Sequence, residues 1–246
     1  MANRIIKHIP TAITCMNLFC GCVATYHGFM QNFELALLFI ILGAVFDFFD
    51  GMAARVLDAH SIIGKDIDSL ADDITFGIAP ASMVFSWLQI WLQIYFSMSP
   101  LIPLVPYLAF LIAVFSALRL AKFNNDTRQA TSFIGLPVPA NALFWGALIV
   151  GGDEVLLSFQ LTPLLIVILI GVSCWLLVSE IPMFSLKFGK NVHADGALRV
   201  KRLAMGLVAA VVVLLVVFFR QDWSLAVLLI MSLYIIKNCI YAIFKI

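Results

Sequence analysis

Charge is scarce in this sequence. Lys, Arg, Asp and Glu together make up 12 % of the 246 residues, and apolar residues make up 63 %; soluble domains hold about 25 % and 45–50 %. With a mean hydropathy of +1.06, no water-soluble packing could hide this much apolar surface, which excludes a soluble globular domain. Paired cysteines are missing too. Cys15, Cys20, Cys22, Cys174 and Cys239 all fall in apolar stretches. Cys20 and Cys22 are one residue apart, which is not a zinc spacing, and no second pair completes a site. They are expected as small buried hydrophobes. The four histidines, His8, His27, His60 and His193, are scattered without ligand spacing and are expected to be structural. No internal repeat, low-complexity segment or cleaved signal peptide stands out. The start, MANRIIKHIP, is a short basic segment followed at once by an apolar run.

What is present is a series of apolar runs of membrane-crossing length. A helix needs about 20 residues to cross roughly 30 Å of hydrocarbon, and eight spans are expected at about 12–29, 34–56, 66–92, 102–123, 138–151, 161–180, 201–219 and 223–243. The fold class is therefore an all-α polytopic membrane protein. Starting from a cytoplasmic N-terminus, these spans put Arg4, Lys7, Arg55, Lys65, Arg119, Lys122, Arg128, Lys187, Lys190, Arg199, Lys201, Arg202, Lys237 and Lys245 on the inner side and only Arg220 outside. That bias fits the positive-inside rule and makes both termini cytoplasmic. Trp87, Trp91 and Trp223 fall toward the outer ends of their spans, where an aromatic belt is expected. The basic stretch KFGKNVHADGALRVKR, 187–202, is expected to meet anionic lipid headgroups. No nucleic-acid partner is expected.

The acidic residues are unevenly spread. Seven of the fourteen lie between Asp47 and Asp73, although a carboxylate near the bilayer centre costs roughly 2.5–3.5 kcal/mol on insertion scales. Asp47 and Asp50 are three apart and share one face at the end of the second span; Asp68 and Asp72 are four apart and share one face at the start of the third. The link between the spans is short enough for antiparallel neighbours, so the four carboxylates can converge. Hard oxygen ligands of this kind suit Mg²⁺ or Mn²⁺, as one ion or two. Gly51 and Gly64 suit a close approach of backbone to a ligand, Ala53 and Ala54 keep that face small enough for a flat nucleotide, and Arg55 could neutralise a diphosphate. Thr14 and Asn17 share a face of the first span and suit either nucleotide or helix contact. Arg119 and Lys122, one turn apart, suit a clamp on a carboxylate or lipid phosphate, or plain anchoring at the inner surface; Asn124 suits a hydrogen bond to substrate or a helix C-cap. Two classes fit: a metal-dependent membrane enzyme that transfers a lipid phosphate group, and a cation transporter with intramembrane carboxylates. The transporter requires acids toward the midplane and a polar path to the far face, and the outer halves of these spans offer few polar groups.

The spacing D-x2-D-G-x2-A-R-x8-G-x3-D-x3-D, met by Asp47, Asp50, Gly51, Ala54, Arg55, Gly64, Asp68 and Asp72, resembles the signature of the CDP-alcohol phosphotransferase family. The resemblance implies an enzyme that joins a CDP-linked lipid to an alcohol and releases CMP. It further implies Asp47, Asp50 and Asp68 as metal ligands, Asp72 as general base with a share in the metal site, and Gly51, Ala54, Arg55 and Gly64 as the CDP pocket. A six-helix core follows, with the last two spans as accessories, in the division 1–10 juxtamembrane segment, 11–190 core and 191–246 basic loop with two added helices. The resemblance also suggests a homodimer in a bacterial or archaeal cytoplasmic membrane. After Asp72 the run DITFGIAPA, 73–81, looks like that of the phosphatidylserine synthases within the family, as do IPTAITCMNLFCG (9–21), LRLAKFN (118–124), FIGLPVPA (133–140) and IPMFSLK (181–187). Thr11 stands where Asn is usual and Lys122 where Arg is usual. This branch implies CDP-diacylglycerol and L-serine as substrates; glycerol 3-phosphate or inositol is the alternative acceptor. A neutral alcohol attacks phosphorus poorly, so a carboxylate must take its proton, which suits Asp72.

Overall fold

The structure, a computed structural model, describes residues 8–59, 62–95, 102–126, 133–183, 206, 209–213, 216 and 222–244. Helix α1 (Ile9–Phe29) opens with Pro10 in its first turn, where a missing N–H costs nothing and the fixed φ favours the helix. It stops at Met30, and Gln31 takes a left-handed φ of 62°. The Asn32 side chain then caps α2 (Phe33–Val56) by accepting from the Leu35 N–H at 3.4 Å. This tight reversal sets α1 and α2 side by side. At 21 and 24 residues, with a rise of about 1.5 Å per residue, each is long enough to cross a bilayer.

The next helices form one rod: α3 (Ile62–Asp73), a π turn at Ile74–Ile78, and α4 (Ala79–Tyr95). The Ala79 N–H reaches back to the Ile74 carbonyl, the i→i+5 bond that defines the turn. The rod is the centre of the bundle: 72 % of its apolar stretch is buried, against 22–33 % in the other four long helices. Phe76, Met83, Trp87, Leu88 and Trp91 on the rod pack with Leu37 and Ile40 of α2 to form the core. Trp87 and Trp91 are therefore interior side chains, 2 % and 0 % exposed, rather than the lipid-facing belt expected of them. Position along a span locates depth, not the face a residue presents. Trp223, 46 % exposed, does face outward.

Beyond the rod come a 3₁₀ segment (Ile102–Phe110) running into α5 (Leu111–Asn125), then α6 (Val138–Gly151), a short α7 (Asp153–Ser158), α8 (Thr162–Val178) and α9 (Trp223–Phe244). A two-residue ladder joins the segment before α6 to the one after α8, pairing Phe133 with Met183 and Ile134 with Pro182. Gly135 makes the close approach there. Its φ is +79°, and a Cβ on it would lie 2.6 Å from the Leu177 carbonyl. The two resemblance segments thus meet at Phe133–Ile134 and Pro182–Met183.

Five of the described helical stretches are long and apolar enough to cross a membrane, and α6 and α8 are shorter apolar helices. The outward faces carry large apolar side chains such as Phe19, Leu42, Val114 and Leu165, as lipid-facing helices do. This is an all-α polytopic membrane protein. The expected seventh span, 201–219, and the basic stretch 187–202 lie largely or wholly outside the described residues.

Glycines set how closely α1 approaches the rod. A Cβ on Gly21 would run into Thr75, lying 2.8 Å from its Cα, and one on Gly28 would run into Ser82. Into these gaps the rod sends its hydroxyls. Thr75 Oγ1 donates to the Asn17 carbonyl at 3.0 Å, and Ser82 Oγ donates to the Ala79 carbonyl at 2.7 Å and lies 3.4 Å from that of Thr25. Small residues that admit a neighbouring helix, with hydroxyls bonding across the seam, are how helices associate where lipid removes the hydrophobic drive.

Candidate active site

Helices α2 and α3 bring Asp47, Asp50 and Asp68 together: one carboxylate oxygen from each lies within 4.8 Å of the other two. The i, i+3 spacing stacks Asp47 and Asp50 on one face of α2, and Asp68 meets them from α3. Asp50 is 6 % exposed, and its Oδ2 has no hydrogen-bond partner. Three ionised carboxylates this close repel by roughly 3 kcal/mol per pair at an effective dielectric of about 20. Burial of Asp50 makes the repulsion worse. A divalent cation relieves both problems, since hard anionic oxygens are the donors that Mg²⁺ and Mn²⁺ take. The residues present fit such an ion. Asp72, the fourth expected ligand, is not in this group. It is half-buried one turn further along α3, with Oδ1 accepting from Asn17 Nδ2 at 3.1 Å and with Asp47, Asp68 and Asp50 in electrostatic range.

A cavity of about 530 Å³ opens beside the triad, of a size usual for small-molecule sites. Asp50, Gly51, Ala54, Gly64, Asp68 and Thr14 line it, as do Pro10, Thr11, Ala59, Lys65 and Asp66. A Cβ on Gly51 would meet no atom within 4 Å, so the bare α2 backbone there fronts open space. Thr14 turns its hydroxyl back to the Pro10 carbonyl at 3.0 Å while its side of α1 forms part of the wall. Arg55, Asn17, Asp47 and Asp72 are not among the lining residues. Arg55 is exposed, and its Nε donates to the Gly51 carbonyl at 2.8 Å.

The expected clamp is divided. Arg119 is 4 % exposed and turns into the bundle, its guanidinium 4.9 Å above the Phe123 ring and in electrostatic range of Tyr234 on α9. Lys122 instead donates to the Val178 carbonyl at 3.0 Å, capping the C-terminus of α8, where a cation is favoured. Asn124 lies inside the last turn of α5, with Asp126 at the C-cap. It donates to Ser69 Oγ at 2.7 Å, and its carbonyl accepts from Lys65 Nζ at 3.3 Å. That pair of bonds ties α5 to α3 beside Asp68.

Sequence reasoning missed Pro10, Thr11, Ala59, Lys65 and Asp66 as cavity lining. Thr11 carried a signal, because it is one of the two departures from the expected pattern, and Lys65 and Asp66 lie between the signature positions Gly64 and Asp68.

Residues 7–178 match the sequence profile of the family described as CDP-alcohol phosphatidyltransferase. The chain belongs to that family. It is similar to a CDP-diacylglycerol–serine O-phosphatidyltransferase of Bacillus subtilis, 36 % identical over 191 residues that cover 77 % of this chain and 98 % of the relative. Proteins of the same name from Mycobacterium tuberculosis and Saccharomyces cerevisiae are 34 % and 35 % identical over 145 and 148 residues. Those alignments cover 56 % and 54 % of this chain, and the chain spans about half the length of these two relatives, 47 % and 50 %.

Proposed function

We propose that this protein is a CDP-diacylglycerol–serine O-phosphatidyltransferase, transferring the phosphatidyl group of CDP-diacylglycerol to the hydroxyl of L-serine. The observation that carries the reaction class is the convergence of Asp47, Asp50 and Asp68 beside a cavity that Asp50, Asp68 and the bare backbone of Gly51 line. The choice of serine is supported by the names of the relatives, above all the Bacillus subtilis protein matched over 98 % of its length.

In this reading Asp72 accepts the proton of the serine hydroxyl as the serine oxygen attacks the phosphorus bearing diacylglycerol. The new oxygen–phosphorus bond forms while the bond from that phosphorus to the oxygen of CMP breaks, and CMP leaves with the electron pair. Asp47, Asp50 and Asp68 would hold a divalent cation, which would supply positive charge to the diphosphate when bound. Gly51, Ala54 and Gly64 admit the nucleotide closely, and Thr14 adds a polar contact from α1. Arg55 and Arg119 supply fixed cations, one at the surface and one inside the bundle. The site faces the cytoplasm of a bacterial or archaeal membrane in this reading, supported by the Lys and Arg asymmetry along the chain; membrane lipids surround it and the assembly is a homodimer.

Purified protein in mixed micelles of CDP-diacylglycerol tests the proposal. With Mg²⁺ or Mn²⁺ present, CMP release should require serine and yield phosphatidylserine. Release with glycerol 3-phosphate or inositol but not serine would overturn the acceptor assignment alone. Ion flux in proteoliposomes without CMP release would overturn the reaction class.

A further inference from the structure

Of the two sides of its sequence reading, Asn17 takes the helix contact, bonding to Asp72 and Thr75 of the rod. It is 0 % exposed and does not line the cavity, although Thr14, one turn earlier on α1, does. Its side chain points instead at Asp72, donating Nδ2–H to Oδ1 at 3.1 Å. A carboxylate accepts only, so the amide nitrogen is the end of Asn17 that belongs there. Its backbone is held as well: the Asn17 carbonyl accepts from Thr75 Oγ1 at 3.0 Å, and Thr75 is itself 0 % exposed. Thr75 sits in the π turn, three residues after Asp72. The two bonds close a ring from Asp72 to Asn17 to Thr75 and back along the rod.

The room for this ring is made by glycines on two helices. A Cβ on Gly21 would collide with Thr75, and one on Gly43 of α2 would lie 2.5 Å from Thr75 Cγ2 and 2.9 Å from Asn17 Oδ1. The amide oxygen is thus pressed against bare α2 backbone, and the amide is turned with its nitrogen toward the carboxylate. A π turn carries one residue more than the α-helix it interrupts and recurs at functional sites; here it presents Thr75 to α1 while Asp72 stays on the side of the triad.

We infer that Asn17 is a positioning residue for Asp72, latched by Thr75: it occupies one carboxylate oxygen and orients the other toward the hydroxyl of the acceptor. The inference rests on the base role of Asp72 given above. It separates the polar residues of α1 by task, with Thr14 facing the cavity and Asn17 acting through the base.

Steady-state CMP release from Asn17→Ala, Asn17→Asp and Thr75→Val tests it, with serine and CDP-diacylglycerol varied in turn. Asn17→Ala should lower kcat by ~10- to 100-fold, the range typical of groups that orient a functional side chain, and leave the KM for CDP-diacylglycerol within about twofold. The near-isosteric Asn17→Asp, which fills the same space without the donor, should lose kcat likewise and serves where the alanine variant does not fold. Thr75→Val keeps the shape between Gly21 and Gly43 and should lower kcat a few-fold. Added to whichever Asn17 variant folds, it should change kcat by less than about twofold, because both act on one link. A kcat near the parent value in either folded Asn17 variant, a loss confined to KM, or multiplicative effects in the double variant would overturn the inference. Asp72→Asn, run beside them, separates the two readings. Full turnover there removes the base assignment, whereas an inactive Asp72→Asn with an active Asn17→Ala removes only the positioning role.

Discussion

Replacing Gly51 by alanine should make the protein more stable and less able to bind its nucleotide-linked substrate. Gly51 lies within α2, where glycine costs about 0.8–1.0 kcal/mol relative to alanine. The added Cβ meets no protein atom within 4 Å, so nothing offsets that gain. For a chain of this length about 1 kcal/mol corresponds to ~2–4 °C in the unfolding midpoint, and the variant should unfold higher by that amount. The empty space in front of Gly51 is nevertheless the cavity shared with Asp50 and Asp68. Carbon atoms pack no closer than about 3.5 Å, so a nucleotide seated against the bare backbone must move away. At ~1–3 kcal/mol for an overpacked contact, the KM for CDP-diacylglycerol should rise roughly 5- to 150-fold. Thermal unfolding of the detergent-solubilised protein and CMP release at varied CDP-diacylglycerol check the two halves separately. An unchanged KM would refute the cradle, and a lowered midpoint would refute the picture of Gly51 as unobstructed helix.

Other expectations follow from the same geometry. Asp72→Asn should lower turnover by ~10²–10⁴-fold, the usual worth of general-base help, while binding of CDP in the presence of Mn²⁺ stays near the parent value. Chelation by EDTA should abolish CMP release and Mg²⁺ or Mn²⁺ should restore it; Asp50→Asn, with one of three converging charges gone, should need a higher metal concentration for half-maximal rate. Gly21→Ala forces Thr75 out of its seat and should destabilise the protein by about 1–3 kcal/mol, read as a lower unfolding midpoint, in contrast to Gly51→Ala.

Local regularity explains which parts of the site were legible in advance. Asp47 with Asp50 follows from helical spacing alone, and a short link to the helix of Asp68 makes their meeting a near-necessity. The cavity wall of Gly51, Ala54 and Gly64 is equally local, being the small residues on the same two helix ends. Asn17 was only half legible. Its polar side chain in an apolar span required a partner, but that partner lies 55 positions away and no periodicity connects them. The π turn was invisible for a different reason: a one-residue change in hydrogen-bond register leaves the composition of an apolar run unaltered. Arg119 and Lys122 looked like one clamp because they are a turn apart, yet each found its partner on a different element.

By itself, the sequence determined that the chain is an all-α polytopic membrane protein and that carboxylates gather where two successive helices meet. Those properties depend on hydrophobic length and on the 3.6-residue turn, both of which are written along the chain. Only tertiary structure decided which helix is central, why Trp87 and Trp91 are interior, and why Asp72 stands apart from the other three carboxylates with Asn17 behind it. In lipid, core and surface are both apolar, so composition cannot tell an inward face from an outward one. Close packing at Gly21, Gly28 and Gly43 makes that choice, and it sets what Asp72 meets on α1.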